Sequence, residues 1–271
     1  MISAKQLVLV ILLTCTYFVS AGKKQKVVFQ FVQLTDTQLG MTSKNENSVE
    51  EERLYKLAID EVNKLKPAFV VITGDFVNQR SDTNQIKTFL ELTSLFDKKI
   101  PIYLIPGNHD VGQKPDKGTL DFYFRFYPTD RFSFAYKGVQ FIGINSCLVN
   151  SGIEEETVQF NWLKQELNKN TTRKIIFSHH PFFTHDFNEK DSYSNIPFTQ
   201  RSEYMRLFQS HGVAAVVAGH YHNNAEAQFQ DIPMITTSAV GKQLGKANSG
   251  FRIIRVYNDS ISHSYFELPV E

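Results

Sequence analysis

Three features of the chain predict an α/β fold. Five short runs of branched or aromatic apolar residues each stop at a residue type that ligates metals. Stretches with helical spacing alternate with the first of these runs. Past the middle, alternate residues become apolar about a Lys137-Gly138 turn, which adds antiparallel pairing to a strand–helix rhythm. With 271 residues, 42% hydrophobic, the chain is long enough for one large domain.

The elements follow in order. Met1 to Ser20 holds one cation, Lys5, then an apolar stretch from Leu7 to Val19, and Val19-Ser20-Ala21 has the small-residue pattern of a signal-peptidase site. The stretch falls short of the roughly 20 apolar residues of a membrane span. Residues 1–21 are therefore expected to be a cleaved signal and 22–271 the mature domain, secreted or in the lumen of the secretory pathway. An uncleaved anchor and a lipoprotein joined through Cys15 are the alternatives.

The first run, Val27 to Leu34, ends in Thr35-Asp36-Thr37-Gln38. Ser48-Val49-Glu50-Glu51 reads as a capping box before Leu54, Leu57, Ala58, Val62 and Leu65 at helical spacing, and Pro67 stops that helix. Phe69 to Thr73 ends in Gly74-Asp75. A helix from Asp82 to Phe96 precedes Ile102 to Ile105, which ends in Gly107-Asn108-His109-Asp110. A short helix is expected over Thr119 to Phe126, a hairpin over Phe132 to Ile144, and a helix over Glu155 to Leu167 with Val158, Trp162 and Leu163 inward. Ile175 to Phe177 ends in Ser178-His179-His180-Pro181, and Val213 to Ala218 ends in Gly219-His220-Tyr221-His222. Thr184 to Thr199, between the last two motifs, is either a substrate loop or plain surface. Short strands finish the chain: Ala225 to Gln230, Met234 to Thr237, Phe251 to Tyr257 and Ile261 to Phe266.

Composition excludes some functions. The formal net charge is +1, and removal of residues 1–21 takes away Lys5 and no acid, leaving a near-neutral chain. Nucleic-acid binding needs a basic footprint, and none is present. If the signal is removed, Cys147 is the only cysteine left, so no intrachain disulfide forms; it reads as a small buried hydrophobe. Asn170-Thr171-Thr172 and Asn258-Asp259-Ser260 fit the glycosylation acceptor pattern. His185, His211 and His263 read as surface or helix-end residues.

In open α/β sheets, sites form where strands end and loops begin. One edge of one sheet would collect carboxylates, an amide and imidazoles, the ligand set for two divalent metals acting on a phosphate ester. The order Gly74-Asp75, Gly107 to Asp110, His179 with Pro181 and Gly219 to His222 resembles the calcineurin-like metallophosphoesterases. Their first motif is Asp-x-His; here Gln38 replaces the His. Asp-x-Gln, together with Asn224-Ala225, Ser238 to Gly241, Gln243-Leu244-Gly245, Gly250 and Arg252, is similar to the CPPED-type Ser/Thr phosphatases of that family.

The resemblance implies a four-layer α/β/β/α sandwich of two mixed sheets. It implies a first metal on Asp36, Gln38, Asp75 and His222, and a second on Asp75, Asn108, His179 and His220, with Asp75 bridging. His180 would sit beside a ligand. His109 would face substrate as proton donor, with Asp110 orienting its ring, while a metal-bridging hydroxide attacks phosphorus. The two cations would be drawn from Mn, Fe, Mg or Zn, and the oxygen-rich first site favours the harder ions over Zn. The implied substrates are phosphoserine or phosphothreonine in protein, or a small phosphomonoester in a secreted version. A phosphodiesterase and a non-catalytic metal-containing module are the rivals. Purple acid phosphatases resemble this chain elsewhere but place a Tyr ligand three residues after the Gly-Asp carboxylate, where this chain has Asn78.

Overall fold

The computed structural model describes residues 26–169 and 173–269, so the expected signal and the Asn170 acceptor site lie outside the described residues. The strands are β1 (Phe29–Leu34), β2 (Val70–Thr73), β3 (Ile102–Ile105), β4 (Phe132–Tyr136), β5 (Val139–Gly143), β6 (Arg173–Phe177), β7 (Val213–Ala218), β8 (Ala225–Phe229), β9 (Ile232–Thr236), β10 (Gly250–Val256) and β11 (Ile261–Glu267). The helices are α1 (Val49–Leu65), α2 (Thr83–Thr93), α3 (Asn108–Val111), α4 (Lys117–Tyr123), α5 (Glu154–Leu167) and α6 (Phe198–Ser210).

The strands form two mixed sheets, ordered β11-β10-β1-β2-β3 and β4-β5-β6-β7-β9-β8. Side chains alternate across each sheet, so every strand serves two cores. Phe29 and Phe31 of β1 point between the sheets, where Phe31 meets Phe141 and Phe177 with ring centroids 5.4 and 5.9 Å apart. Val32 and Leu34 of the same strand face the other way, onto α1 and α2. The second sheet repeats the pattern, with Ile142, Ile176 and Val216 packed under α5 and α6. This is the expected α/β/β/α sandwich.

Local details differ from the sequence reading. No capping bond forms at Ser48; its hydroxyl donates to Glu52, and buried Glu51 accepts the Thr42 N–H at 2.6 Å. Val158 is 52% exposed, and α5 instead buries Gln159, Leu163, Glu166 and Leu167. Helix α6, not among the expected helices, buries Tyr204, Met205 and Phe208 at helical spacing, and its first inward position is Arg201, which is fully buried and donates to the carbonyls of Phe187, Glu189 and Ile196. That guanidinium ties α6 to the loop before it. Among the described residues no helix is long and apolar enough to cross a membrane.

Candidate metal centre

The parallel strands β1, β2, β3 of one sheet and β6, β7 of the other end at one rim, and each expected ligand follows such an end. The first two loops are locked together, since Asp36 N–H donates to Gly74 O at 3.0 Å and Gln38 N–H to Asp75 O at 2.8 Å. The chain must turn back at once after each strand. Asp36, Gln38, Asp75, His220 and His222 accordingly hold φ values of 54°, 39°, 51°, 65° and 50°, a left-handed conformation that costs non-glycine residues about 1–3 kcal/mol each. Two glycines allow the crowding: a Cβ on Gly219 would lie 1.8 Å from Thr35 Oγ1, and one on Gly107 would lie 2.2 Å from Asp75 Oδ1.

The expected ligands converge in two groups. His179 Nε2 lies 3.1 Å from Asn108 Oδ1, 3.1 Å from His220 Nδ1 and 3.3 Å from Asp75 Oδ2. His222 Nε2 lies 3.2 Å from Asp36 Oδ1. One ligand atom from each of Asp36, Asp75 and His179 lies within 4.8 Å of the others, which brings the two groups side by side. Asp36 Oδ1 and Gln38 Oε1 are buried with no hydrogen-bond donor. Orphaned buried acceptors are costly unless a cation meets them, so the donor set fits the implied metals.

Each histidine is held by its outward nitrogen. His179 Nδ1–H donates to Thr73 O at 2.8 Å, His220 Nε2–H to Tyr193 O at 2.9 Å, and His222 Nδ1–H to Lys242 O at 2.6 Å. The opposite nitrogen of each ring is thereby left with its lone pair facing the group. Without cations, protons partly take their place. Burial opposes charge on His179, but Asp75 beside it outweighs burial and lifts its pKa to about 9. Burial would raise Asp36 and Asp75, yet His222 and His179 respectively hold both below the usual carboxylate range. Burial and the neighbouring His179 push His220 down to about 4.

His109 N–H donates to Asp75 Oδ1 at 2.8 Å, and its ring Nδ1–H donates to Asn78 O at 2.8 Å. The expected Asp110 partnership with that ring is not found. Asp110 turns inward instead, where Oδ1 accepts Phe76 N–H at 3.0 Å and Oδ2 accepts Gly107 N–H at 2.8 Å. The short turn α3 sends consecutive side chains in different directions, so neighbours in sequence do not meet. His180 is buried beside the second group, with Ser146 Oγ 3.0 Å from its Nδ1.

Two residues of the site were not among those read from the motifs. Tyr193 accepts Asn108 Nδ2–H at its hydroxyl, 2.9 Å away, while its carbonyl accepts from His220. This puts the Thr184 to Thr199 segment over the second group; its signal was an aromatic residue in a polar loop. Asn78 stood out only as the position lacking a tyrosine. Of the remaining histidines, His185 edges Tyr221, His211 caps α6 and His263 contacts Arg252.

Comparison with known proteins agrees with this geometry. The family described as calcineurin-like phosphoesterase matches residues 29–224. Serine/threonine-protein phosphatase CPPED1 of Mus musculus is 32% identical over 268 residues, covering 91% of this chain and 86% of its own. A probable glycerophosphodiester phosphodiesterase, GpdQ, of Arcobacter nitrofigilis is 27% identical over 222 residues, 79% of each chain. A solved dimetal phosphatase from Danio rerio shares the fold, with a TM-score of 0.64 at 15% identity over 89% of this chain and 96% of that one.

Proposed function

The chain belongs to the calcineurin-like phosphoesterase family, and from that premise we propose that this metallophosphoesterase hydrolyses phosphate monoesters, phosphoserine and phosphothreonine in protein among them. The observation that carries the reading is the pair of buried, unpartnered acceptors, Asp36 Oδ1, which groups with Asp75 and His179, and Gln38 Oε1 on the loop tied by its backbone to Asp75. The first cation would be held by Asp36, Gln38, Asp75 and His222, the second by Asp75, Asn108, His179 and His220. Bound there, two divalent cations supply charge neutralisation for the phosphate and acidify a water.

The chain's own groups do the rest. Asn78 O fixes Nδ1 of His109 as a donor, so the opposite nitrogen, Nε2, carries the proton exchanged with the leaving oxygen. Asp75 accepts the His109 backbone N–H, which ties the acid's position to the bridging carboxylate. Tyr193, 61% exposed, stands at the rim where a substrate's remainder would lie.

Similarity to a CPPED1 phosphatase supports the phosphoprotein class. Similarity to GpdQ supports a second reading, phosphodiester hydrolysis. Steady-state comparison of p-nitrophenyl phosphate, its bis ester and phosphoserine peptides on Mn²⁺-loaded protein separates the two. A monoester preference is expected; a clear diester preference would overturn it. Localisation rests on residues 1–21 alone, which read as a cleaved secretory signal, so N-terminal sequencing of secreted material should start at Gly22. Delivery there puts small phosphomonoesters within reach as substrates.

A further inference from the structure

Gln38 offers an oxygen and a nitrogen of nearly equal size, and only the oxygen ligates a cation. Its nitrogen is engaged, since Gln38 Nε2–H donates to Asn78 Oδ1 at 3.2 Å, which leaves the oxygen, buried and without a donor, as the atom free to meet a cation. Asn78 has the same ambiguity, and Asn78 Nδ2–H donates to Asn45 Oδ1 at 2.8 Å. That oxygen also accepts Gln85 Nε2–H at 3.1 Å. The series ends where ambiguity ends, since Gln85 Oε1 accepts the backbone N–H of Gln79 at 3.0 Å, and a backbone N–H can only donate.

Each amide therefore inherits its direction from the one before it. A donor at Gln79 makes the facing atom of Gln85 an oxygen, hence its other atom a donor; Asn45 then presents oxygen, Asn78 donates to it, and Gln38 must present nitrogen to Asn78. The remaining Gln38 atom, buried and unpartnered, is its oxygen. Gly40 leaves room for the crossing, because a Cβ there would lie 2.5 Å from Gln85 Nε2.

We infer that Gln85, on α2 and three side chains away from the first metal group, is a positioning residue that sets the Gln38 amide with its oxygen toward the cation. This rests on the dinuclear reading above. Gln85→Glu is nearly isosteric and still accepts Gln79 N–H, but it turns the donor facing Asn45 into an acceptor. Asn45, Asn78 and Gln38 then flip in turn, and Gln38 presents its nitrogen to the cation. Asn45→Asp keeps the oxygen that both donors use and leaves the relay intact. Asn45→Gly removes it at an exposed position whose φ of 71° suits glycine, so folding is not at stake.

The test is calorimetric titration of chelated protein with Mn²⁺ alone, read as two binding events. Gln85→Glu and Asn45→Gly should weaken one event by about 10–100-fold and spare the other, while Asn45→Asp matches wild type. In a Gln38→His background, where an imidazole replaces the amide, Gln85→Glu should have no effect. Wild-type-like binding by both Gln85→Glu and Asn45→Gly would overturn the relay and leave the dinuclear reading standing. Equal loss of both events, or an undiminished Gln85→Glu effect in the Gln38→His background, would also overturn it. A wild type that binds fewer than two Mn²⁺ would overturn the dinuclear reading itself and the relay with it.

Discussion

Replacing His109 by alanine separates its ring from its backbone. The backbone N–H that donates to Asp75 Oδ1 at 2.8 Å survives, so the Asp75 carboxylate keeps that contact and the proposed cations keep their ligand. What disappears is the ring whose Nδ1 is held by Asn78 O at 2.8 Å, and with it the proton on the far nitrogen. Loss of a positioned general acid lowers turnover by about 10²–10⁴-fold, equivalent to about 3–5 kcal/mol of barrier. That loss applies only where the leaving oxygen must be protonated. A phosphoserine peptide releases a poor alkoxide and should show the full effect. p-Nitrophenyl phosphate releases a stable phenolate and should lose less than about tenfold. The assay is steady-state kcat on both substrates for His109→Ala and wild type, with metal content measured on the same samples. Equal losses on the two substrates, with metal retained, would refute the acid role; loss of metal from the variant would refute the separation of ring from backbone on which it rests.

The same contacts give further expectations. In metal-free protein His179 is raised to about 9 from 6.5, so its contribution to stability is complete below pH 6.5 and is lost as pH rises through about 9. His222 is raised as well and acts in the same direction. Chelated protein should therefore melt lower at pH 9 than at pH 6.5, whereas metal-loaded protein, whose histidines are already neutral, should not show this window in thermal scans. Because His179 and His222 must be neutral to ligate, Mn²⁺ binding near pH 7.5 should release roughly one proton from His179 and a further share from His222, measurable by titration in buffers of different ionisation enthalpy. Asp110→Ala should act through stability rather than chemistry: it unpairs the buried Gly107 and Phe76 N–H groups, at about 1–3 kcal/mol each, and denaturant melts should show the loss while kcat of the surviving folded enzyme falls less than in His109→Ala.

Much of the site was legible because its residues obey a topological rule. Strand ends of Val27–Leu34, Phe69–Thr73, Ile102–Ile105, Ile175–Phe177 and Val213–Ala218 are visible as apolar runs, and whatever follows them shares a rim. What escaped were relations made by backbone groups. The carbonyls of Thr73, Tyr193, Lys242 and Asn78 orient four imidazoles, and a carbonyl carries no residue-type signal. Adjacency misled at Asp110, whose carboxylate serves two backbone donors rather than the ring next to it. Arg201 misleads for a related reason: a buried cation satisfied by three loop carbonyls looks in sequence like a solvent-facing residue. Val158 failed the other way, an apolar residue left on the exposed face of α5.

The left-handed backbone at Asp36, Gln38, Asp75, His220 and His222 carries an evolutionary consequence. Glycine would relax every one of those positions and could hold no metal at any of them. The strain therefore persists only under selection for the donor atoms, and a lineage released from that selection is free to lose it along with the metals.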